Sequence, residues 1–219
     1  MAASAIDQLV HLAHLVLGFG AGAAAIVALA VSKGGRVHRW AGWTFTGGMT
    51  VAAITAWIFM IARPLPLAMF EATVALYALG TAVLALNPRW RWARAGEVAL
   101  LGVLLLVMLA VAVVGGRLML AGAGVGPAPL VLFAVFAYFA VLDVRWLRRA
   151  AIPKVDRVRR HALRMALAVS ETVRAPLITF ADDLGLPVPA IVFGTFALVP
   201  LIYFAFAPQA RKAAAVVRA

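Results

Sequence analysis

Seven apolar stretches, separated by short polar segments, divide this chain of 219 residues. A membrane-spanning helix needs roughly 20 apolar residues, so seven of them with their connections use nearly the whole length. The spans are predicted at residues 6–32, 43–62, 67–86, 96–116, 130–146, 161–180 and 190–207. The expected fold is an all-α polytopic bundle of seven transmembrane helices, formed by one domain over residues 1–219 without a soluble domain.

The basic residues lie almost entirely on alternate loops. Lys and Arg number three at 33–39, three at 89–94, eight at 145–164 and three at 211–218. The other set of loops holds only Arg63 and Arg117, and Arg174 lies inside the sixth span. Because basic loops stay on the cytoplasmic side, this asymmetry predicts an N-terminus outside the cell and a C-terminus in the cytoplasm.

The composition excludes several classes of protein. Hydrophobic residues make up 65% of the chain, and a mean hydropathy of +1.02 is too high for a soluble domain. The net charge of +12 is explained by topology and by attraction to anionic lipid headgroups, so we expect a lipid bilayer and no nucleic acid as partner. The absence of Cys excludes disulfides and thiolate metal sites.

Two ionisable residues lie near the middle of the sixth predicted span. Glu171 and Arg174 are three positions apart, so they share a helix face and can pair. A charge in hydrocarbon is costly unless it is paired or faces water. Glu71, about one turn into the third span, is a possible third member. These residues predict a path for a proton or small solute; the alternative is a structural ion pair that holds the sixth span in the bundle.

Two histidines, His38 and His161, are expected at the cytoplasmic entrances of the second and sixth spans. The basic residues beside them are Lys33, Arg39, Arg160 and Arg164. Imidazoles from two helices can ligate the iron of haem b, with arginines on its propionates. The alternative is that both histidines form hydrogen bonds at the membrane interface.

His11 and His14 share one face of the first span, near its outer end. Their i, i+3 spacing suits a metal ion, and Glu71 with Asp182 or Asp183 would be the only available additional ligands. The alternative is that both are polar residues of the interface.

Small and aromatic residues predict how the helices pack and where they meet the headgroups. Gly18 and Gly22 form a Gly-x-x-x-Gly pattern that allows close helix approach. Five tryptophans, Trp40, Trp43, Trp90, Trp92 and Trp146, lie at the inner ends of spans. Such positions are typical of an aromatic belt at the level of the headgroups.

The segment KGGRVHRWAGWTF at 33–45 resembles the signature of a bacterial family of predicted membrane proteins of unknown function. The matching positions are Lys33, Gly34, His38, Arg39, Gly42 and Met49, with His14 and Gly18 in the first span. Asp143-Val144-Arg145 and the segment RHALRM at 160–165 match the later Asp-x-Arg and Arg-His-x-x-Arg-Met elements of that family. In the sixth span the family has an apolar run ending in Gly-Gln, where this chain has Glu171 and Arg174.

The resemblance implies a multi-pass protein of the bacterial inner membrane and no particular activity. It also implies that the polar signature converges at the cytoplasmic ends of spans one, two, five and six. Asp143 would there pair with Arg39 or Arg164, and with Arg145 it would hold these ends together. The His-Arg-x-x-Gly element is more weakly similar to the membrane-anchor subunits of succinate dehydrogenase, which use such residues near quinone and haem.

Three classes of function remain open from the sequence. The first, taken as the lead, is a redox protein linked to haem or quinone at the cytoplasmic face. The second is a carrier for a proton or small solute, which would use Glu71, Glu171 and Arg174. The third is an accessory or scaffold subunit, either in a homo-oligomer or in a larger membrane complex, where the polar residues only fix packing.

The haem hypothesis predicts a chromophore. The purified protein should show a Soret band and, after reduction with dithionite, sharpened visible bands that are lost in His38→Ala and His161→Ala. A colourless wild-type protein would exclude haem and favour the hypothesis that Glu171 and Arg174 form a transport path.

Overall fold

The computed structural model describes residues 5–62, 65–122 and 128–206, and within these ranges the chain is helical, with no strand. The helices are α1 (Ala5–Ala30), α2 (Arg36–Ala62), α3 (Pro66–Leu86), α4 (Ala93–Leu120), α5 (Ala128–Leu147), α6 (Lys154–Thr179) and α7 (Val188–Phe196). After a turn at Ala197, helical structure resumes over 198–206. The expected all-α architecture of seven helices is therefore found in the described part of the chain.

Six segments are long and apolar enough to cross a membrane. They are Gln8–Ala30, Arg36–Ile61, Pro66–Leu86, Ala93–Leu120, Pro129–Leu147 and Val188–Phe206. α6 is long enough, at 26 residues, but charged side chains occur from its first turn to Arg174. The chain is thus a multi-pass membrane protein in which one helix needs the protein itself, rather than lipid, as its surroundings.

The helices α3 and α6 form the centre of the bundle. α6 packs against α3, α7 and α1, while α3 also contacts α2 and α4. Buried apolar residues line both central helices, among them Val74, Ala78 and Leu167. The outer helices expose large apolar side chains such as Ile26 and Leu106, as expected for surfaces that face lipid.

Successive helices run antiparallel, so alternate connections meet at one end of the bundle. At the start of α4, Arg94 donates a hydrogen bond to the carbonyl of Leu147, at the end of α5. Lys33, after α1, lies 4.1 Å from the centre of the Phe206 ring. We call this end the basic end; its connections are residues 31–35, 87–92 and 148–153.

At the basic end, α2, α4 and α6 begin before the predicted starts of their spans. α6 begins at Lys154 after Pro153, about two turns before the predicted start of the sixth span. Asp156, in its first turn, pairs with Arg149 at 2.8 Å. Lys and Arg are good helix formers, so basic residues end the apolar run without ending the helix. Hydropathy therefore did not locate the helix boundary at this end.

The close approach of α1 and α2 occurs at Gly48. A Cβ atom at that position would lie 3.0 Å from both the Cβ of Ala21 and the carbonyl oxygen of Leu17. At Gly18 a Cβ would meet nothing within 4 Å, and at Gly22 it would make an ordinary contact with Thr172 at 3.7 Å. The prediction of close packing through the Gly-x-x-x-Gly pattern is therefore wrong for Gly18, because that face of α1 is not the one turned to α2.

Gly48→Ala should lower stability, because the added methyl group must push the backbone of α1 away. Gly47→Ala is the matched control, since a Cβ there meets no atom within 4 Å. We expect Gly48→Ala to be about 1–3 kcal/mol less stable than Gly47→Ala, measured by unfolding of the purified proteins in detergent. Equal stability of the two variants would contradict the close contact.

Candidate functional site

The buried ionisable side chains gather on and around the two central helices. Among the residues whose side chains are described, the charged ones less than 9% exposed are Glu71, Glu97, Asp143, Arg160, Arg164, Glu171 and Arg174. They form two clusters. The first, the Glu–Arg–Glu cluster, consists of Glu71, Glu171 and Arg174. The second, the basic-end cluster, consists of Tyr77, Glu97, Asp143, Trp146, Arg160 and Arg164.

In the Glu–Arg–Glu cluster one guanidinium lies between two carboxyl groups. Arg174 is 0% exposed, and its Nη2 donates to Glu171 Oε1 at 2.6 Å. Its Nη1 donates to Glu71 Oε1, on α3, at 3.3 Å. The i, i+3 pair expected within α6 forms, and Glu71 joins it. The three residues predicted from the sequence are thus brought together between α3 and α6.

α7 closes the other side of this cluster. Ser170 Oγ, which receives a 3.3 Å contact from Arg174 Nη2, donates to the carbonyl of Thr195 at 2.8 Å. The guanidinium carbon of Arg174 lies 4.1 Å from the centre of the Phe196 ring, a favourable cation–π geometry. The site is therefore formed by three helices and is shielded from lipid.

Both α6 and α7 have interrupted backbone hydrogen bonding beside this cluster. Pro176 lies inside α6 and has no N–H to donate to the carbonyl four residues before it. α7 breaks at Ala197, where Pro200 likewise cannot donate to the carbonyl of Phe196. Interrupted membrane helices are tolerated where they are buried in protein or line a cavity. Pro176 lies two residues after Arg174, and Ala197 directly follows Phe196, whose ring contacts Arg174.

Asp143 is the centre of the basic-end cluster. One carboxylate oxygen, Oδ1, accepts hydrogen bonds from Arg160, at 2.7 Å, and from Arg164. The other, Oδ2, accepts from the hydroxyl of Tyr77 at 2.5 Å. Of the two partners expected for Asp143, Arg164 is confirmed. The predicted pairing with Arg39 is wrong, because Arg39 is exposed and donates a hydrogen bond to the carbonyl of Gly34 at 2.6 Å.

Glu97 and Trp146 complete this cluster and were not predicted as site residues. Trp146 Nε1 donates to both oxygens of Glu97, at 2.9 and 3.0 Å. Arg160 lies 4.0 Å from Glu97 and 4.5 Å from the centre of the Trp146 ring. Trp146 is only 8% exposed, so its assignment to the aromatic belt is wrong. Its indole N–H donates to a buried carboxylate instead of facing the headgroups. A carboxylate at the start of an apolar span was the signal available for Glu97.

Two other residues of the predicted polar signature lie outside the cluster. Arg145 is exposed on α5. Lys33 Nζ donates to the carbonyls of Ala28, Leu29 and Val31, at 2.9, 2.6 and 3.2 Å, and so satisfies the C-terminal end of α1. Partial burial lowers the pKa of the Lys33 ammonium group.

His38 and His161 make the same type of contact on different helices. Nδ1 of His38 lies 3.1 Å from the carbonyl of Ala28, and Nδ1 of His161 lies 3.1 Å from the carbonyl of Ala82. A carbonyl can only accept, so in the neutral rings Nδ1 carries the proton and Nε2 keeps a free lone pair. This is the tautomer that a metal-bound histidine needs.

The outer histidines pack α1 against α2. His14 Nδ1 lies 3.0 Å from the carbonyl of Ala52 and 3.1 Å from Thr55 Oγ1, and His11 packs edge-on against the ring of Phe59. Over the described residues, no group of three or more His, Asp or Glu side chains is placed to hold a metal ion. The two histidines therefore have no third ligand within that part of the chain.

No protein-family model, no curated protein and no solved structure matches the chain. Function is therefore inferred from the chemistry of the two clusters.

Asp143→Asn should be strongly destabilising, because it leaves two buried guanidinium groups without their shared anion. Removing one partner from a buried ion pair costs about 3–5 kcal/mol. Asp156→Asn is the control, since Asp156 pairs with Arg149 and Arg159 on a more exposed surface and should cost about 1 kcal/mol or less. Denaturant unfolding in detergent measures both; similar losses would show that Asp143 does not hold the helices together.

Proposed function

We propose that this protein is a membrane carrier for a proton or a small solute, with the Glu–Arg–Glu cluster as its binding site. The observation that supports the proposal is the buried placement of Glu71, Glu171 and Arg174 between the two central helices. Ionisable groups inside a membrane are expensive to keep, and they commonly mark an ion or substrate pathway.

A purely structural ion pair explains this cluster less well. One carboxylate is enough to neutralise Arg174, and the second adds an uncompensated charge to a low-dielectric site. The break of α7 at Ala197 and the proline inside α6 also favour a binding site, because carriers commonly place discontinuous helices where freed backbone groups meet the substrate.

The polar groups of α6 continue from this site toward the basic end. Arg164 lies seven residues before Glu171, or about 10 Å along a helix, and belongs to the basic-end cluster. Leu167 and Ala168, both 0% exposed, fill the space between. Transfer between the clusters therefore requires α6 to move relative to α3, which corresponds to an alternating-access carrier rather than an open channel.

The proposed orientation places the basic end in the cytoplasm of a bacterial cell, with the inner membrane as its location. The chain has no Cys, so a single introduced cysteine shows on which side of the membrane its position lies. In spheroplasts, a membrane-impermeant maleimide should label Ala121→Cys directly and Ser32→Cys only after the membrane is opened. The reverse pattern would invert the topology.

A redox role at the basic end is the second candidate. It is supported by the Nδ1–carbonyl contacts of His38 and His161, which leave two Nε2 atoms free for iron or for a quinone oxygen. The absorption spectrum described above decides the haem form of this proposal.

Carrier function requires water to reach the cluster in at least one conformation. Ser170→Cys should therefore react with a water-soluble, charged methanethiosulfonate reagent in proteoliposomes, although Ser170 is 0% exposed in this structure. Ala78→Cys is the control, because Ala78 is equally buried but packs among apolar residues of α3.

Reaction at Ser170→Cys alone would support a path that opens. If both thiols stay protected, the carrier proposal fails and an accessory subunit with a structural Glu–Arg–Glu cluster takes its place.

A further inference from the structure

The two clusters differ in their charge balance. The basic-end cluster contains two guanidinium groups, Arg160 and Arg164, and two carboxylates, Glu97 and Asp143, and is neutral with both carboxylates ionised. The Glu–Arg–Glu cluster contains one guanidinium and two carboxyl groups, so it carries one negative charge if both ionise. It is neutral only with one additional positive charge.

No other helix supplies that charge among the described residues. Within the described ranges, Glu71 and Glu171 each form an ion pair with Arg174 and with no other basic side chain. α7 presents the ring of Phe196 and, through Ser170, the carbonyl of Thr195. An aromatic ring and a carbonyl oxygen cannot compensate a second carboxylate, so the balance must come from a bound species.

The hydrogen bonding of the carboxyl groups indicates what this species is. Oε1 of each carboxyl group accepts a hydrogen bond from Arg174. Oε2 of Glu71 and Oε2 of Glu171 are buried, and no donor reaches them. Both carboxyl groups accept from nitrogens of the same guanidinium, so they are neighbours in the site. One proton on either Oε2 creates a donor for the opposite carboxyl group and satisfies two buried acceptors at once.

We propose that the Glu–Arg–Glu cluster holds one exchangeable proton shared by Glu71 and Glu171, and that this proton is the species the carrier moves. The second half of the proposal rests on the carrier function; the first half stands on the geometry of the cluster alone. Arg174 acts as the fixed counter-charge, which keeps the cluster neutral when the proton is present and leaves it with one negative charge when the proton departs.

A metal cation suits this site less well than a proton. The guanidinium already occupies the inner oxygens of both carboxyl groups and would repel a second cation a few ångströms away. A proton bound covalently to a carboxyl oxygen neutralises the charge without placing a separate cation beside Arg174. The site resembles two carboxyl groups that share one proton because they cannot both ionise at close range.

Infrared spectroscopy of the purified protein tests the shared proton directly. A protonated carboxyl group has a carbonyl stretching band that is distinct from that of a carboxylate and shifts in D2O. We expect this band in the wild-type protein and its loss in both Glu71→Gln and Glu171→Gln. Each single variant keeps the cluster neutral without a proton, since glutamine is uncharged and the remaining carboxylate pairs with Arg174, so both should fold.

Asp183→Asn, which changes an exposed carboxyl group in the turn after α6, is the matched control and should leave the band unchanged. Retention of the band in both glutamine variants would overturn the shared proton. Loss in only one variant would assign the proton to that carboxyl group and overturn the sharing. Unfolding of the variants is checked by circular dichroism, and deuterium exchange of the wild-type band tests exchangeability without any variant.

Proton movement is measured in proteoliposomes that contain a pH-sensitive dye, with an imposed pH gradient and valinomycin with potassium ions to balance charge. Wild type and Asp183→Asn should acidify the interior faster than protein-free vesicles do, and Glu71→Gln and Glu171→Gln should fall to that background. Background rates for the wild type would overturn the proton as the carried species. If Ser170→Cys reacts with the thiol reagent but the infrared band is absent, the carrier proposal stands and the shared proton is refuted. If the band is present but Ser170→Cys stays protected, the carrier is refuted and the proton site stands.

Discussion

The arrangement of this bundle depends on the burial of the charges of α6. Arg160, Arg164 and Arg174 are buried along one helix, and an unpaired guanidinium in a buried site is strongly unfavourable. Each reaches a carboxylate on another helix: Asp143 on α5 or Glu71 on α3. These pairings place α6 in the centre of the bundle and leave the apolar helices α1, α2, α4 and α5 to face lipid.

The two clusters formed in this way have different chemical properties. Around Asp143 and Glu97, positive and negative charges are balanced and every carboxylate oxygen has a hydrogen-bond donor, although three guanidinium nitrogens of Arg160 and Arg164 have no acceptor. Such a cluster fixes helix positions. Around Arg174, one carboxyl group exceeds what neutrality requires, two carboxyl oxygens lack donors, and the neighbouring α7 is interrupted at Ala197. This excess charge, beside an interrupted helix, is the basis on which we propose binding and release at this cluster.

Local sequence patterns predicted what depends on neighbours along the chain. The apolar periods located the helices, and the i, i+3 spacing of Glu171 and Arg174 predicted their pairing, because helical geometry alone brings such positions together. The choice between Arg39 and Arg164 as partner of Asp143 could not be made in this way. The hydrogen bond from Trp146 to Glu97 could not be predicted either. Hydropathy places both residues near the interface and does not say which way their side chains point.

The sequence by itself determined the number of apolar segments, their approximate limits and the presence of charges that lipid cannot accept, because these follow from transfer free energies of single residues. Only the tertiary structure decided which carboxyl group meets which guanidinium. That outcome depends on helix rotation and packing order: Glu71 and Arg174 are 103 positions apart in the chain yet lie 3.3 Å apart. The charge surplus of the Glu–Arg–Glu cluster, and hence its capacity to bind a proton, appears only when α3 is placed against α6.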